Sequence, residues 1–270
     1  NHHSYMGYEP YANLSDSDKL EIQHKFATWS LSQFLHGEQG ALLVASQLCS
    51  CAPTYNAKLY AATQTYDEAR HVEAFNKYIQ TRQKQMYPIT PDLKILLDKI
   101  LTDERWDLKF IGMQLIIEGL ALGAFKAFQM THPDKLLHQL IEKIVQDESR
   151  HVTFGVHYLE QHVKGLSEEE IEERAEFAYE ACLVMRQRFH AVEIFEEYGW
   201  NIDETINYDE SLIKYIPKKP KKIFFSNLFN LRAKNYFCIN LEKSNKIKKK
   251  FKNILAFNIL EHIHNDSHAL

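Results

Sequence analysis

Apolar residues recur three and four positions apart through most of the first 200 residues of this 270-residue chain. This spacing is the period of an α-helix that buries one face. The first long helix is predicted to begin at a cap on Ser15 or Ser17 and to run to about Cys51, just before a proline. A second helix is predicted over about 56–82, so that the two form a hairpin.

The remaining predicted helices cover about 92–101, 103–130, 133–163 and 167–198. Pro133 suits the first turn of a helix, and Gly165 suits the end of one. Ser167, which is followed by three glutamates, is typical of a capped helix start with an acidic first turn. The pattern weakens after Trp200, so residues 201–270 are predicted only as short helices or loops.

The chain carries an internal repeat with an offset of 80 residues. The residues that recur at this offset are Glu38, Glu68 and His71, which match Glu118, Glu148 and His151. Only 9 glycines and 7 prolines are present, too few for a sheet that turns every ten residues. The pattern predicts an all-α bundle in which one helix hairpin is used twice. We expect an N-terminal arm over 1–14, the bundle over 15–200 and an extension over 201–270.

The two copies of the repeat share the form D-E-x-R-H, at 67–71 and at 147–151. A Glu and a His three positions apart lie about one helical turn apart, so both leave the same face of the helix and can reach one ion. An E-x-x-H alone says little, because pairs with the same spacing begin at Glu21 and at Glu261. Those two pairs lack the Asp, the Arg and a repeat partner, so we interpret them as surface pairs.

Glu38 and Glu118 each stand on a helix face whose other residues are apolar, such as Phe34 beside Glu38. Four glutamates and two histidines would therefore converge inside the bundle. Burying four anions together is costly unless cations offset them, and two divalent ions balance four carboxylates. The alternative is a set of buried, hydrogen-bonded carboxylates, or helix faces that are exposed. Oxygen-rich ligands with one imidazole per ion favour iron or manganese over zinc.

One Glu on each of two helices and an E-x-x-H on each of two others resembles the ligand set of ferritin-like di-iron and di-manganese carboxylate proteins. The resemblance covers about residues 15–200 and implies a ferritin-like four-helix bundle with two iron ions, Fe/Fe or Mn/Fe. The implied metal ligands and catalytic residues are Glu38, Glu68, His71, Glu118, Glu148 and His151. The segment 147–155 is similar to the second metal-binding helix of bacterial multicomponent monooxygenase hydroxylases. This similarity implies an oxygenase or oxidase that uses O₂ to oxidise a small apolar substrate.

The same similarity implies roles for the Asp and Arg residues of the two motifs. Asp67 would hold the ring N–H of His151, and Asp147 would hold that of His71. Such partners typically change metal affinity or activity by about 10 to 100-fold. Arg70 and Arg150 would lie in the same layer around the site. The alternative is that the Asp and Arg residues form only local salt bridges at the surface.

Three positions depart from members of this superfamily. Phe75 stands where small subunits of ribonucleotide reductase carry a radical tyrosine, so a stable tyrosyl radical is not expected there. Ile144 stands where arylamine N-oxygenases add a histidine, and Leu122 stands where the multicomponent hydroxylases place a threonine. The proton-delivery scheme tied to that threonine is therefore open to question in this chain.

Two further groups of residues have open interpretations. Glycines inside helices cost up to about 1 kcal/mol each, so those beside the single-Glu ligands mark either close helix packing or space for O₂ and substrate. These glycines are Gly37, Gly40, Gly119 and Gly123. Four aromatic residues either line an apolar substrate pocket or belong to the core: Phe34, Phe75, Phe125 and Phe154.

An oxygenase needs two electrons per turnover, and the sequence contains no flavin or iron–sulfur motif. Beside O₂ and a small molecule, the expected partner is therefore a ferredoxin or reductase, unless the reaction is single-turnover. The alternative function is a ferritin-like protein that oxidises or binds iron without an organic substrate. A homodimer agrees with the oxygenase, whereas a 24-subunit cage would agree only with the alternative. A peroxide-reducing protein of the rubrerythrin kind is disfavoured because rubredoxin-like cysteine pairs are absent.

The net charge of −4 hides an asymmetry along the chain. Residues 211–270 carry 13 Lys and Arg against 3 Asp and Glu, a net of +10, which leaves −14 for the rest. We interpret this tail as a solvated lysine-rich flank, in preference to a nucleic-acid or membrane contact. The four cysteines lack framework spacing and are expected to be reduced thiols. With no signal-peptide pattern and no run of eighteen apolar residues, a cytoplasmic location is expected.

Overall fold

The computed structural model describes residue 5 and residues 7–188 and 190–212, which form helices, turns and loops without a strand. The predicted all-α fold is confirmed. The α-helices of this part of the chain are α1 (Glu9–Ala12), α2 (Asp16–Cys51), α3 (Tyr55–Tyr78), α4 (Pro91–Thr102), α5 (Trp106–Phe110), α6 (Gly119–Thr131), α7 (Lys135–Val163), α8 (Glu168–Gln187), α9 (Val192–Glu197) and α10 (Ile202–Leu212). Two segments have the wider π-helical turn, π1 (Ile79–Gln83) and π2 (Ile111–Glu118). The elements predicted beyond residue 212 lie outside the described residues.

Polar residues fix where the long helices begin. Ser15, the first of the two predicted caps, accepts a hydrogen bond from a backbone N–H in the first turn of α2. Ser167 and Glu170 form a reciprocal capping box at the start of α8. Asp134 caps α7 with its carboxylate, so this helix begins two residues after Pro133, which was predicted to lie in its first turn. The sequence therefore places these helix starts to within about two residues.

The helix predicted over 167–198 is wrong in its second half. The helix α8 ends at Gln187, and α9 follows as a separate short helix. Ala191 has a ψ of 64°, which is not helical, and the break lets Ile194 and Phe195 become fully buried. Both residues pack in an aromatic cluster that includes Trp200. Tertiary packing here overrides a continuous helical pattern.

The same aromatic cluster joins the N-terminal arm to the rest of the chain. Tyr8 and Tyr11 are buried in it beside Trp29 of α2. The hydroxyl of Tyr8 lies 2.8 Å from Oγ1 of Thr205, which is buried in α10. Residues on both sides of the predicted boundaries at 14 and 200 thus contact one another, and the division into an arm, a bundle and an extension stays a prediction.

The third long segment, predicted as one helix over 103–130, consists of α5, π2 and α6 in succession. All eight residues of π2 are buried, and the segment ends on Glu118. Short π-helical segments inside helices frequently occur at functional sites. The stretch Trp106–Thr131 is also long and apolar enough to cross a membrane. Because 78% of its most apolar 18 residues are buried inside the protein, it has the character of a core helix.

The segments that carry the six predicted ligands are α2, α3, π2 and α7, and they pack against one another between two apolar clusters. One cluster contains Val44 and Leu48 of α2, which follow Glu38 along the helix. The other contains Leu31 and Phe34 of α2, which precede it. The predicted ligands therefore lie between two parts of the apolar core.

Candidate metal centre

All six residues proposed as ligands from the sequence lie inside the bundle. Their exposed fractions are 5% for Glu38, 0% for Glu68, 2% for His71, 2% for Glu118, 1% for Glu148 and 1% for His151. Each comes from a different turn of α2, α3, π2 or α7, so both copies of the repeat contribute three side chains. Their assignment as ligands stays a prediction, but the structure brings all six together.

The six side chains divide into two overlapping groups. Each group offers one ligand atom per residue, and within a group these atoms all lie within 4.8 Å of one another. The first group is Glu38, Glu68, His71 and Glu148, and the second is Glu68, Glu118, Glu148 and His151. Glu68 and Glu148 belong to both groups, so they would lie between two ions, whereas Glu38 and Glu118 each serve one position.

The two histidines are held by aspartates from the opposite copy of the repeat. Nε2 of His71 lies 3.2 Å from Oδ2 of Asp147, and Nε2 of His151 lies 3.3 Å from Oδ2 of Asp67. Hydrogen bonds from the histidine and Arg70 lower the pKa of Asp67 far below its ordinary value, against the opposing effect of burial. An ionised carboxylate can only accept, so each ring donates from Nε2 and turns Nδ1 toward the glutamates.

Asp67 and Asp147 also contact the exposed arginines of both motifs. Arg70 bonds to Asp67 and lies 3.2 Å from Oδ2 of Asp147. Arg150 lies 2.6 Å from Oδ1 of Asp147 and 3.3 Å from Oδ2 of Asp67. The two interpretations of these residues therefore coexist, because each aspartate faces a buried histidine on one side and surface arginines on the other.

The charges of the cluster shift the pKa values of its own members. Burial, followed by repulsion from Glu148, raises the pKa of Glu38 and Glu118 well above its ordinary value. Burial also acts to raise the pKa of Glu68, but attraction to the two adjacent histidines outweighs it and lowers the value to about 2. Burial would lower the pKa of these histidines, yet the surrounding carboxylates raise it far above the ordinary value. The site thus retains protons to offset its negative charge.

Several buried atoms of the cluster approach one another without hydrogen-bond geometry. Oε2 of Glu118, Oε1 of Glu148 and Nδ1 of His151 have no hydrogen-bond partner among the described residues. Nδ1 of His151 is nevertheless 3.0 Å from Oε1 of Glu68, and Oε1 of Glu148 is 3.1 Å from Nδ1 of His71. These carboxylate and imidazole atoms converge closely, which fits a shared cation that would displace the protons they retain. The cluster is therefore suited to hold two metal ions.

Two buried glutamines beside the cluster were missed from the sequence. Gln64 precedes Glu68 by four residues, and Gln114 precedes Glu118 by four residues. Both have an exposed fraction of 0%. Gln114 could have been found from the sequence, because it is a lone polar residue in the apolar run of π2 and lies at helical spacing from the predicted ligand Glu118.

The aromatic residues near the site belong to both ends of the bundle. Phe34, Phe75 and Phe125 pack together, with ring centroids of Phe34 and Phe125 4.8 Å apart. Phe154 instead stacks on Tyr60 with centroids 3.9 Å apart. Phe75 is fully buried one turn after His71, so an apolar ring occupies that position. Phe34 and Phe75 therefore stand one helical turn from Glu38 and His71, and Phe154 stands one turn after His151.

The E-x-x-H pair at Glu21 lies away from the cluster. Glu21 is exposed and forms an ion pair of 3.0 Å with Lys25. This is the surface role expected for a motif without a repeat partner. The second such pair, at Glu261, lies outside the described residues.

Two solved oxidases are similar to the chain in fold. A Synechococcus protein with aldehyde deformylating oxidase activity aligns with a TM-score of 0.52 and 17% identity, over 72% of this chain and 88% of its own. A mutant R2-like ligand-binding oxidase with an anaerobically reconstituted Mn/Fe cofactor aligns with a TM-score of 0.51 and 19% identity, over 85% of this chain and 84% of its own. No protein-family model and no curated protein matches the sequence. The likenesses show the fold, which is the ferritin-like helical bundle expected from the ligand pattern.

Proposed function

We propose that this chain is an oxidoreductase that uses O₂, an oxygenase or oxidase, with two iron ions or a Mn/Fe pair at the six-residue cluster. The observation that carries the proposal is the convergence of four carboxylates and two imidazoles, from both copies of the repeat, at a site where no ligand is more than 5% exposed. A structural role would not need so many mutually repelling carboxylates in the core. The fold of the two oxidases agrees with this class of chemistry.

Redox-active ions bound here would supply the site for O₂ and the electrons that reduce it. The protein's own residues define the surroundings of that chemistry. Glu68 and Glu148 would serve both positions, and the aspartate-held histidines fix the direction of the imidazole lone pairs. Burial of the ligands keeps bulk water from reactive species.

An apolar organic substrate agrees with the residues that adjoin the cluster. Phe34, Phe75 and Phe125 belong to one apolar cluster, and Phe34 and Phe75 stand one helical turn from Glu38 and His71. Insertion of one oxygen atom into a C–H bond consumes O₂, two electrons and two protons, and releases water. A ferredoxin or reductase is therefore proposed as the external electron donor, beside O₂ and the substrate.

The test is anaerobic loading with Fe(II), removal of free metal, and exposure to O₂. We expect about two ions per chain, and oxygen consumption that continues when a fatty acid, aldehyde or arylamine and a ferredoxin with its reductase are supplied. The matched control is the Glu68→Gln variant, which alters a residue of both ligand groups. Loaded wild-type protein that leaves O₂ unchanged would contradict the proposal.

The alternative of iron oxidation without an organic substrate predicts a different stoichiometry. A storage protein would continue to take up and oxidise Fe(II) well beyond two ions per chain and would assemble into a large cage. Native mass and iron content measured after repeated Fe(II) additions distinguish the two functions. A monomer or dimer that saturates at two ions supports the oxidoreductase.

A further inference from the structure

Two glutamine side chains lie fully buried beside the ligand cluster, and neither is a proposed ligand. Gln64 stands one turn before Glu68 on α3, and Gln114 stands one turn before Glu118 on π2. A buried amide without enough hydrogen bonds costs about 1–3 kcal/mol. Oε1 of Gln114 has no hydrogen-bond partner among the described residues. The pair is therefore not a self-contained structural contact.

The contacts of the two amides run in one direction, toward a ligand carboxylate. Nε2 of Gln64 donates to Oε1 of Glu118 at 2.8 Å and lies 3.3 Å from Oε1 of Glu68. Nε2 of Gln114 donates to Oε1 of Gln64 at 3.4 Å. Gln114 thus orients Gln64, and Gln64 holds one oxygen of Glu118.

A glycine on the facing helix makes room for this arrangement. A Cβ atom at Gly155 of α7 would lie 2.5 Å from Cβ of Gln114. Real Cβ atoms do not approach that closely, so any larger residue would displace the glutamine or the helix. The position of Gln114 therefore depends on α7, the helix that also carries Glu148 and His151.

The repeat shows that the amides favour Glu118 over its counterpart Glu38. The offset of 80 residues matches Gln114 with Phe34, and Gln64 with Ile144. Both apolar counterparts are buried in the cluster that contains Phe75. Ile144 and Phe34 have no amide, so Glu38 receives no counterpart of the hydrogen bond that Gln64 donates to Glu118.

We propose that Gln64, oriented by Gln114, is a positioning residue that fixes Glu118 and so makes the two metal positions unequal. The position served by Glu118 and His151 binds its ion first, because its terminal carboxylate loses less rotational freedom on binding. The position served by Glu38 and His71 binds second. This inference rests on the metal-binding part of the proposed function.

The experiment is an anaerobic titration of the metal-free full-length chain with Co(II), followed by calorimetry and by the visible absorption of the bound ion. Wild-type protein is expected to show two resolved binding constants. Gln64→Leu removes the donor, so we expect the tighter constant to weaken by about 10 to 100-fold. The weaker constant should change much less, because the contact of Gln64 with the shared Glu68 is longer, at 3.3 Å. Gln114→Leu leaves Gln64 in place and is expected to give a smaller change in the same constant.

The matched control is Gln33→Leu. Gln33 is also a buried glutamine, 2% exposed, but its amide bonds to the backbone of Pro88 and Thr90. The Gln33→Leu variant should lower the midpoint temperature of thermal unfolding without changing the ratio of the two binding constants. A purely structural role of Gln64 would lower both constants together, so an unchanged ratio in Gln64→Leu and in Gln114→Leu would overturn the inference. Two equal constants in wild-type protein would overturn it as well, whereas a wild-type chain that binds no ion would overturn the metal site itself.

Discussion

Asp147 lies 3.2 Å from Nε2 of His71, although the two residues belong to different copies of the helix hairpin. The matching contact joins Asp67 to His151 at 3.3 Å. Each D-E-x-R-H segment therefore supplies a Glu and a His to the cluster and an Asp to the histidine of the other segment. Because the aspartates are ionised, they set the tautomer in which Nδ1 faces the glutamates.

Replacing Asp147 with Asn is expected to weaken metal binding by about 10 to 100-fold, because an amide can accept or donate and no longer fixes the tautomer of His71. Anaerobic titration with Fe(II) or Mn(II) measures the change. The control is Asp103→Asn, a carboxylate that pairs with the exposed Arg105 away from the cluster. Equal affinities of Asp147→Asn and wild-type protein would show that the contact does not orient the ring.

Replacing Glu68 with Gln is expected to reduce the bound metal from about two ions per chain to one or fewer. Glu68 belongs to both ligand groups, so its loss weakens both positions. Glu21→Gln is the matched control, because Glu21 also begins an E-x-x-H but pairs with Lys25 at the surface. Metal content after gel filtration is the measurement, and a similar loss in both variants would contradict the assignment.

Metal affinity is expected to rise with pH between about 6 and 8. Burial raises the pKa of Glu38 and Glu118, and the carboxylates raise the pKa of His71 and His151, so these groups hold protons more tightly than free side chains do. Incoming ions must displace protons from the cluster, and the falling proton activity at higher pH favours that displacement. Calorimetry in buffers with different ionisation enthalpies counts the protons released. An affinity that does not change with pH, with no proton release, would refute this expectation.

Two glycines of α2 are expected to respond to alanine in opposite directions. A Cβ at Gly37 would meet nothing within 4 Å, so Gly37→Ala should raise the free energy of unfolding by about 0.5–1 kcal/mol. A Cβ at Gly40 would collide with the buried side chain of Leu97, so Gly40→Ala should lower it by about 1–3 kcal/mol. Chemical denaturation of both variants tests the pair, and a shift in the same direction would contradict it. Close packing thus explains Gly40, and no contact explains Gly37.

The helices and the ligand cluster could be predicted from the sequence because their signals are local and repeated. Ser15 and Ser167 cap helices through bonds within one turn, and the two D-E-x-R-H segments place their side chains by helical period alone. Glu38 and Glu118 recur at the same offset of 80 residues as the two motifs, which identified them as further predicted ligands.

The features that were missed depend on contacts between distant segments. The break after Gln187 is set by the burial of Phe195 in an aromatic cluster, which the local pattern does not contain. The π-helical turn of π2 has the same apolar composition as an α-helix, so periodicity could not separate the two. Gln64 and Gln114 gain their role only where α3 and π2 face each other.

The exchange of aspartates between the hairpins makes the halves of the bundle mutually dependent. If the chain were cut between α4 and α5, each fragment would keep three ligands but lose the anion that orients its own imidazole. Neither fragment would then be expected to hold even one ion well until the two reassociate. A substitution of an aspartate in one half is therefore expected to weaken ion binding by the histidine of the other half.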